Sequence, residues 1–292
     1  MKQYNGKEVI LMVCASCNAS CKHCYVSYKG DMSPSELLKI VKKLKSKYDI
    51  NINGAEVLTN PEYLASYREI NQQFVLSNGK VFLEDPSVID KLKENGIKSV
   101  SISYHFGIQD DISPVKVSDL NKVIEILKNS GLEFRLLTTI TSQNYKMLPY
   151  MCQTAHNLGA RGIKFTNFIK QGNANNMPED NVLSDSQIAE FFQLLLKERE
   201  NYDKDDLLIE RCGTFGKNYS SNNDHFYCDC ISDSIVITPD NSVYPCVFLA
   251  KPGFEIGVYN DGKILVDETI NSDHSRCLVR EICNRNRKWR NK

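Results

Sequence analysis

From about residue 8 to residue 170, short apolar runs rich in β-branched residues alternate with stretches whose apolar positions recur at helical spacing. The runs Val9 to Val13, Ile50 to Asn53, Gln73 to Ser77, Ser99 to Ser103, Glu133 to Thr139 and Gly162 to Thr166 read as strands. The first helix has Ser33 as N-cap, Pro34 at its first position and Glu36 three residues on, a capping box followed by Leu37, Leu38, Ile40, Val41 and Leu44. Later helices are read at 61–71, 86–95, 117–130 and 144–158. Six such βα units fit a doubly wound sheet as well as an incomplete barrel, and periodicity does not separate the two.

Polar residues dominate 172–183, with Gly172, Asn173, Asn175, Asn176, Pro178, Asp180 and Asn181, and a helix over 184–201 follows. Beyond it the chain becomes rich in cysteine, glycine and hairpin-like strands. The expected division is a barrel over 1–175, a bridging helical region over 176–210 and a small C-terminal unit over 211–292.

The chain has 292 residues and no net charge, which favours neither nucleic acid nor membrane as a partner. A local basic run, Arg285, Arg287, Lys288, Arg290 and Lys292, reads as a solvated tail or as a docking strip for an acidic leader peptide. Eleven cysteines without a signal peptide or a membrane-length apolar stretch fit a reducing cytoplasm, where clustered cysteines mean metal or catalysis. They form two groups, one up to residue 24 and one from residue 212, with Cys152 alone between them.

Directly after the first strand comes Cys17-Asn18-Ala19-Ser20-Cys21-Lys22-His23-Cys24-Tyr25. Zinc sites favour paired knuckles with four ligands, and only Cys14 is near enough in sequence to complete such a set. Three thiolates can instead hold three irons of a cubane and leave the fourth free to bind another molecule. The triplet resembles the motif of radical S-adenosylmethionine (SAM) enzymes. That resemblance implies a partial (β/α)6 TIM-like barrel, and a 4Fe-4S cluster on Cys17, Cys21 and Cys24 that chelates SAM and cleaves it to a 5'-deoxyadenosyl radical. It also implies a flavodoxin- or ferredoxin-type electron donor.

The resemblance continues through Gly54-Ala55-Glu56, where the family has Gly-Gly-Glu against the SAM amino group; alanine fits only if its φ is not positive. Ser77-Asn78-Gly79 resembles the turn after the third strand, and Ser103 the serine ending the fourth, with His105 where an aspartate often stands. Arg135 is implied as a partner of the SAM carboxylate. Ile163 and Phe165 read either as adenine-pocket or as core residues.

In the tail, Ile235-Val236-Ile237 and Ser242-Val243-Tyr244 flank Pro239-Asp240-Asn241 as a hairpin. Together with Pro245-Cys246 and Gly253-Phe254-Glu255-Ile256-Gly257 this resembles the SPASM and twitch appendages that hold auxiliary 4Fe-4S clusters, a zinc ribbon being the plainer reading. A full SPASM tail has one cysteine more than the six beyond residue 211 here, which implies one auxiliary cluster. The implied ligands are Cys212, Cys228, Cys246 and Cys283, with Cys230 and Cys277 as substitutes.

The expected activity is that of a cytoplasmic radical SAM oxidoreductase maturing a ribosomally made peptide by oxidation, crosslinking or epimerisation. Epimerisation needs a thiol that returns a hydrogen atom, and Cys152 and Cys14 are the candidates, each otherwise a small buried hydrophobe. Val247 stands where sulfatase-maturing enzymes carry an aspartate base, and no separate peptide-recognition domain precedes Cys17. The alternatives are a small-molecule dehydrogenase acting on an aminocyclitol or sugar, and a non-enzymatic iron-sulfur or zinc scaffold.

Overall fold

The computed structural model describes residues 1–215, 230–270 and 277–284; Cys228 and the basic run from Arg285 onward lie outside them. Its strands are β1 (Lys2–Gln3), β2 (Glu8–Met12), β3 (Asp49–Asn53), β4 (Phe74–Ser77), β5 (Ser99–Ser103), β6 (Glu133–Ile140), β7 (Gly162–Asn167), β8 (Leu208–Arg211), β9 (Ser234–Ile237), β10 (Ser242–Tyr244), β11 (Gly257–Asn260) and β12 (Lys263–Val266). The α-helices are α1 (Pro34–Leu44), α2 (Leu64–Glu69), α3 (Lys80–Glu84), α4 (Val88–Glu94), α5 (Gln109–Ile112), α6 (Val117–Ser130), α7 (Leu148–Leu158) and α8 (Asp185–Asn201). All six expected barrel strands are present within a residue or so of their expected ends.

Strand burial separates barrel from doubly wound sheet. Along β6 the residues alternate, Phe134, Leu136, Thr138 and Ile140 being buried while Arg135, Leu137 and Thr139 are only partly so. Strands covered on both faces would be buried throughout. The covered face packs on the helices, as where Phe165 meets Phe191 of α8 at 5.8 Å between ring centroids. The other face is open, with Leu76 37% exposed on it. The result is a curved, one-sided parallel sheet with its helices outside, a partial TIM-like barrel.

Strands β4 to β8 form one five-stranded parallel sheet, and β3 joins β2 in the other. Gln72 stands in for a ladder between the halves. Its buried side chain accepts from the Ile52 N–H at 2.7 Å and donates to the carbonyls of Ile52 and Phe74 at 3.0 and 3.3 Å. The cysteine-rich tail is built onto the barrel: β9 pairs in parallel with β2 and continues through the expected β9–β10 hairpin into β11 and β12.

Several local expectations are corrected. Only half of the Ser33 capping box forms, the hydroxyl accepting from the Glu36 N–H, whereas Ser184 and Gln187 close a full one. The helix read at 86–95 is preceded by α3, and Asp85 breaks the two apart because a residue before proline avoids helical backbone. The helices read at 61–71 and 144–158 each begin as a 3-10 turn.

Replacing Gln72 by alanine leaves the Ile52 N–H buried without a partner, a loss of roughly 1–3 kcal/mol. Urea denaturation of the variant checks this, and an unchanged midpoint would mean that the two half-sheets hold together without it.

Candidate active site

The cysteine loop leaves the carboxyl end of β2 with no regular structure of its own, so other segments must satisfy its backbone. Asp31 accepts from the Ala15 and Ser16 N–H groups at 2.9 and 3.0 Å. The Ile112 carbonyl accepts from Lys22 N–H at 2.8 Å. After β7, Asn173 donates its backbone N–H to the Cys24 carbonyl at 2.9 Å and its amide to the Cys21 carbonyl at 3.1 Å. Gly172, at φ +61°, lies so close that an added Cβ would fall 2.6 Å from the Cys24 carbonyl oxygen. The polar composition of 172–183 marks a loop but not what that loop packs against.

Burial raises the pKa of Cys17, Cys21 and Cys24, helped by the charge of Cys21 at Cys17 and that of Cys24 at Cys21. Loading metal there must displace protons. Cys17 Sγ accepts from the Asn78 amide at 3.5 Å, and Cys21 donates to Ser113 at 3.5 Å. Cys14 is turned elsewhere: it is buried in the core, its thiol pushed up to about 11 by burial. An added Cβ on Gly54 would lie 2.6 Å from Cys14 Sγ, which is why the first residue of Gly54-Ala55-Glu56 has none. Ala55 has no positive φ, so its methyl is tolerated, and its N–H donates to the Cys14 carbonyl at 2.8 Å.

Glu56 is 1% exposed, accepts from the Asn78 N–H at 2.7 Å through Oε2, and has no partner for Oε1. Burial raises its pKa to about 7, against the pull of the Asn78 N–H. Ser77 caps the same turn, its hydroxyl accepting from the Gly79 N–H at 3.0 Å. Three thiols, a buried carboxylate with a free oxygen and the Asn78 turn thus lie along one rim; the donor types suit an iron cluster, although among the described residues no three cysteine, histidine or acidic side chains are grouped closely enough to hold a metal ion as they stand.

The other expected residues divide. Ser103 ends β5 on the open face. Arg135 is the third residue of the eight in β6, low in the barrel, and pairs with Glu210 at 3.2 Å rather than reaching the rim. Of the two readings of Ile163 and Phe165, the core one holds, since both are buried on the helix-covered face; the polar Lys164 between them and Thr166 after them carry that signal. His105 is structural, its Nδ1 accepting from the Thr139 N–H at 3.0 Å while His23 packs edge-on at 4.3 Å. Burial lowers His23 to about 4, so it stays neutral. Cys152 is fully buried on α7 beside Glu198 of α8, with its thiol raised to about 12 chiefly by burial. That places it in the outer layer, away from the open face.

In the tail, Cys212, Cys246, Cys277 and Cys283 gather with Phe248, Leu249 and Tyr25 in one apolar nest. Cys230 is not among them; it forms an isolated bridge to Ser234. Tyr25, next to Cys24, senses the charges of Cys24, Cys246 and Cys212, and its ring meets Phe248 at 4.5 Å. Gln171, 1% exposed, ties the two cysteine groups: it donates to the Tyr25 carbonyl and accepts from the Cys283 thiol, both at 3.3 Å. Sequence reading gave no role to Tyr25, Gln171 or Asp31.

No family model matches the chain. Among solved structures it resembles Streptococcus suis SuiB bound to its precursor peptide SuiA, at a TM-score of 0.66 and 13% identity over 86% of this chain and 62% of that one. It also resembles anSMEcpe with bound AdoMet, at a TM-score of 0.62 and 18% identity over 86% and 77% of the two chains. The chain has the fold of the radical SAM enzymes. In this chain Cys17, Cys21 and Cys24 stand in the loop after β2. Among curated relatives, an uncharacterised protein of Methanocaldococcus jannaschii is 28% identical over 181 residues, 56% of this chain and 62% of that protein. The AdoMet-dependent heme synthase of Methanosarcina barkeri is 22% identical over 199 residues, 63% of this chain and 57% of that enzyme. The chain thus spans less than two thirds of either relative's length.

Two outcomes follow from the rim geometry. Gly54→Ala should lower the melting temperature by several degrees, and adding Cys14→Ala should restore part of the loss by removing the sulfur in the way; no rescue would mean that the strain lies elsewhere. An unfolded glutamate ionises near 4.5 and Glu56 at about 7, so between these the unfolded state holds fewer protons and stability falls as pH rises. Denaturation of metal-free protein at about pH 5 and about pH 8 should show wild type losing stability relative to Glu56→Gln; a constant difference would contradict the buried carboxylate.

Proposed function

We propose that the protein is a radical SAM enzyme that abstracts a hydrogen atom from a ribosomally made peptide. The observation that carries this reading is the placement of Cys17, Cys21 and Cys24 on one loop at the barrel rim, with Cys14 buried under Gly54 and turned away from them. Cys17, Cys21 and Cys24 would hold a 4Fe-4S cluster, and Glu56, Ser77 and Asn78 would frame SAM beside it. Bound there, the reduced cluster supplies the electron that cleaves SAM to a hydrogen-abstracting radical. The chain's own part is to hold the loop rigid from Asp31, Ile112 and Asn173 and to keep the reaction inside the open face of the barrel. A ferredoxin- or flavodoxin-type protein is the proposed electron source.

The peptide as substrate is supported by SuiB and anSMEcpe, both solved with peptides bound. The packing of Cys212, Cys246, Cys277 and Cys283 in one apolar nest supports one auxiliary cluster, with Cys212, Cys246 and Cys283 as ligands and Cys277 as the described substitute, Cys228 lying outside the described residues. Tyr25 and Gln171 join its surroundings to the cysteine loop, and a cluster held there would supply an acceptor for an electron from the substrate.

Anaerobically reconstituted protein should hold about eight irons and form 5'-deoxyadenosine under strong reduction. Alanine at Cys17, Cys21 or Cys24 should abolish that product, whereas Cys277→Ala should lower iron toward about four and leave SAM cleavage intact. Full 5'-deoxyadenosine formation by a triplet variant would overturn the assignment. A peptide encoded beside the gene and co-expressed with it should lose about two mass units, or gain about one only in deuterated water if epimerised. No mass change in either solvent, with SAM still cleaved, would transfer the reading to a small-molecule dehydrogenase.

A further inference from the structure

The open face of the barrel is lined in layers fixed by strand register. One layer runs Ser101, Arg135, Gly162 and Leu208; the next, nearer the rim, runs Ser103, Leu137, Lys164 and Glu210. Above them stand Thr139 and Thr166, with Cys212 beside Thr166. The helix-covered positions alternate with these, so Lys164 faces the chamber between core residues Ile163 and Phe165.

The charges in these two layers do not cancel. Glu210 is the cross-strand neighbour of Lys164, yet its carboxylate is taken by Arg135 one layer below, at 3.2 Å. Lys164 has no hydrogen bond or ion pair among the described residues. It is partly buried, and apart from the paired Arg135 and Glu210 the lining around it is made of Leu76, Leu137, Gly162, Leu208, serines and threonines. A lysine held there without a partner gives up hydration that a bound anion would replace. It lies three residues before the end of β7, which at about 3.3 Å per residue sets it about 10 Å beneath the rim that carries the cysteine loop.

We infer that Lys164 is a specificity residue that binds a carboxylate of the substrate inside the barrel. The carboxylate belongs to an acidic side chain of a peptide or to a small carboxylic acid. Either would be held by its charged end deep in the chamber, with the carbon to be attacked left above it, nearer the cysteine loop. The Arg135–Glu210 pair keeps the neighbouring carboxylate from competing for the lysine.

This inference rests on the chamber being the reaction site proposed above, and the test separates the two. Reconstituted full-length protein is titrated with N-acetyl-glutamate methylamide, its glutamine counterpart and glutarate, by ligand-observed NMR with SAM present. Wild type should bind the glutamate probe about tenfold tighter than the glutamine probe, the size expected of one charge-assisted hydrogen bond. Lys164→Met should lose that preference, and Lys164→Arg should keep part of it. Equal binding of the two probes by wild type, or an undiminished preference in Lys164→Met, would overturn the inference. So would a loss of SAM affinity in Lys164→Met with the glutamate preference intact, because the lysine would then serve the SAM carboxylate. Glutarate binding as well as the glutamate probe assigns the anchor to a small acid, and weaker binding of glutarate assigns it to a peptide side chain. Failure of wild type to form 5'-deoxyadenosine would defeat the radical SAM reading while leaving the carboxylate preference measurable.

Discussion

The structure depends on holding rigid a loop that has no regular structure of its own. Asp31 secures the start of the cysteine loop, the Ile112 carbonyl its middle and Asn173 its end. Asp31 lies at the end of the same β2–α1 connection, but Ile112 comes from α5 and Asn173 from the turn after β7, so the loop is held in place only while the barrel is intact. Gly172 and Gly54 matter for the same reason: both are places where any side chain would push the loop, or the strand beneath it, out of position.

The barrel serves this loop in two ways. Its helices cover one face of the sheet and leave the other open, giving a chamber directly beneath the rim. Its first strand also pairs with β9, so the tail that carries the second group of cysteines is fixed to the same sheet as the first. Tyr25 and Gln171 complete that connection through contacts to both groups. The two cysteine groups therefore behave as one assembly, and displacement of either would be felt by the other.

Much of this was legible in the chain. Alternating periodicity gave the six barrel strands, and the triplet spacing gave the rim loop, because both depend on local patterns that the fold obeys. What escaped depends on partners distant in sequence. The short β8 strand carries Glu210 and Arg211 side by side, which hides its β character. Gln72 looks like an ordinary loop residue until β3 and β4 are brought together around it. Gly172 and Asn173 read as a linker, although they grip Cys24. Nothing local told that Cys152 would be buried in the helix layer away from the open face, nor that Arg135 would be held by Glu210.

The central claim is that Cys17, Cys21 and Cys24 hold a cluster with one iron open to SAM. Low-temperature electron paramagnetic resonance of the reduced, reconstituted protein, recorded with and without SAM, tests it most directly. The account predicts a 4Fe-4S signal that changes when SAM is added and is missing from a variant with alanine at all three positions. A signal indifferent to SAM, or one that survives the triple substitution, would contradict it.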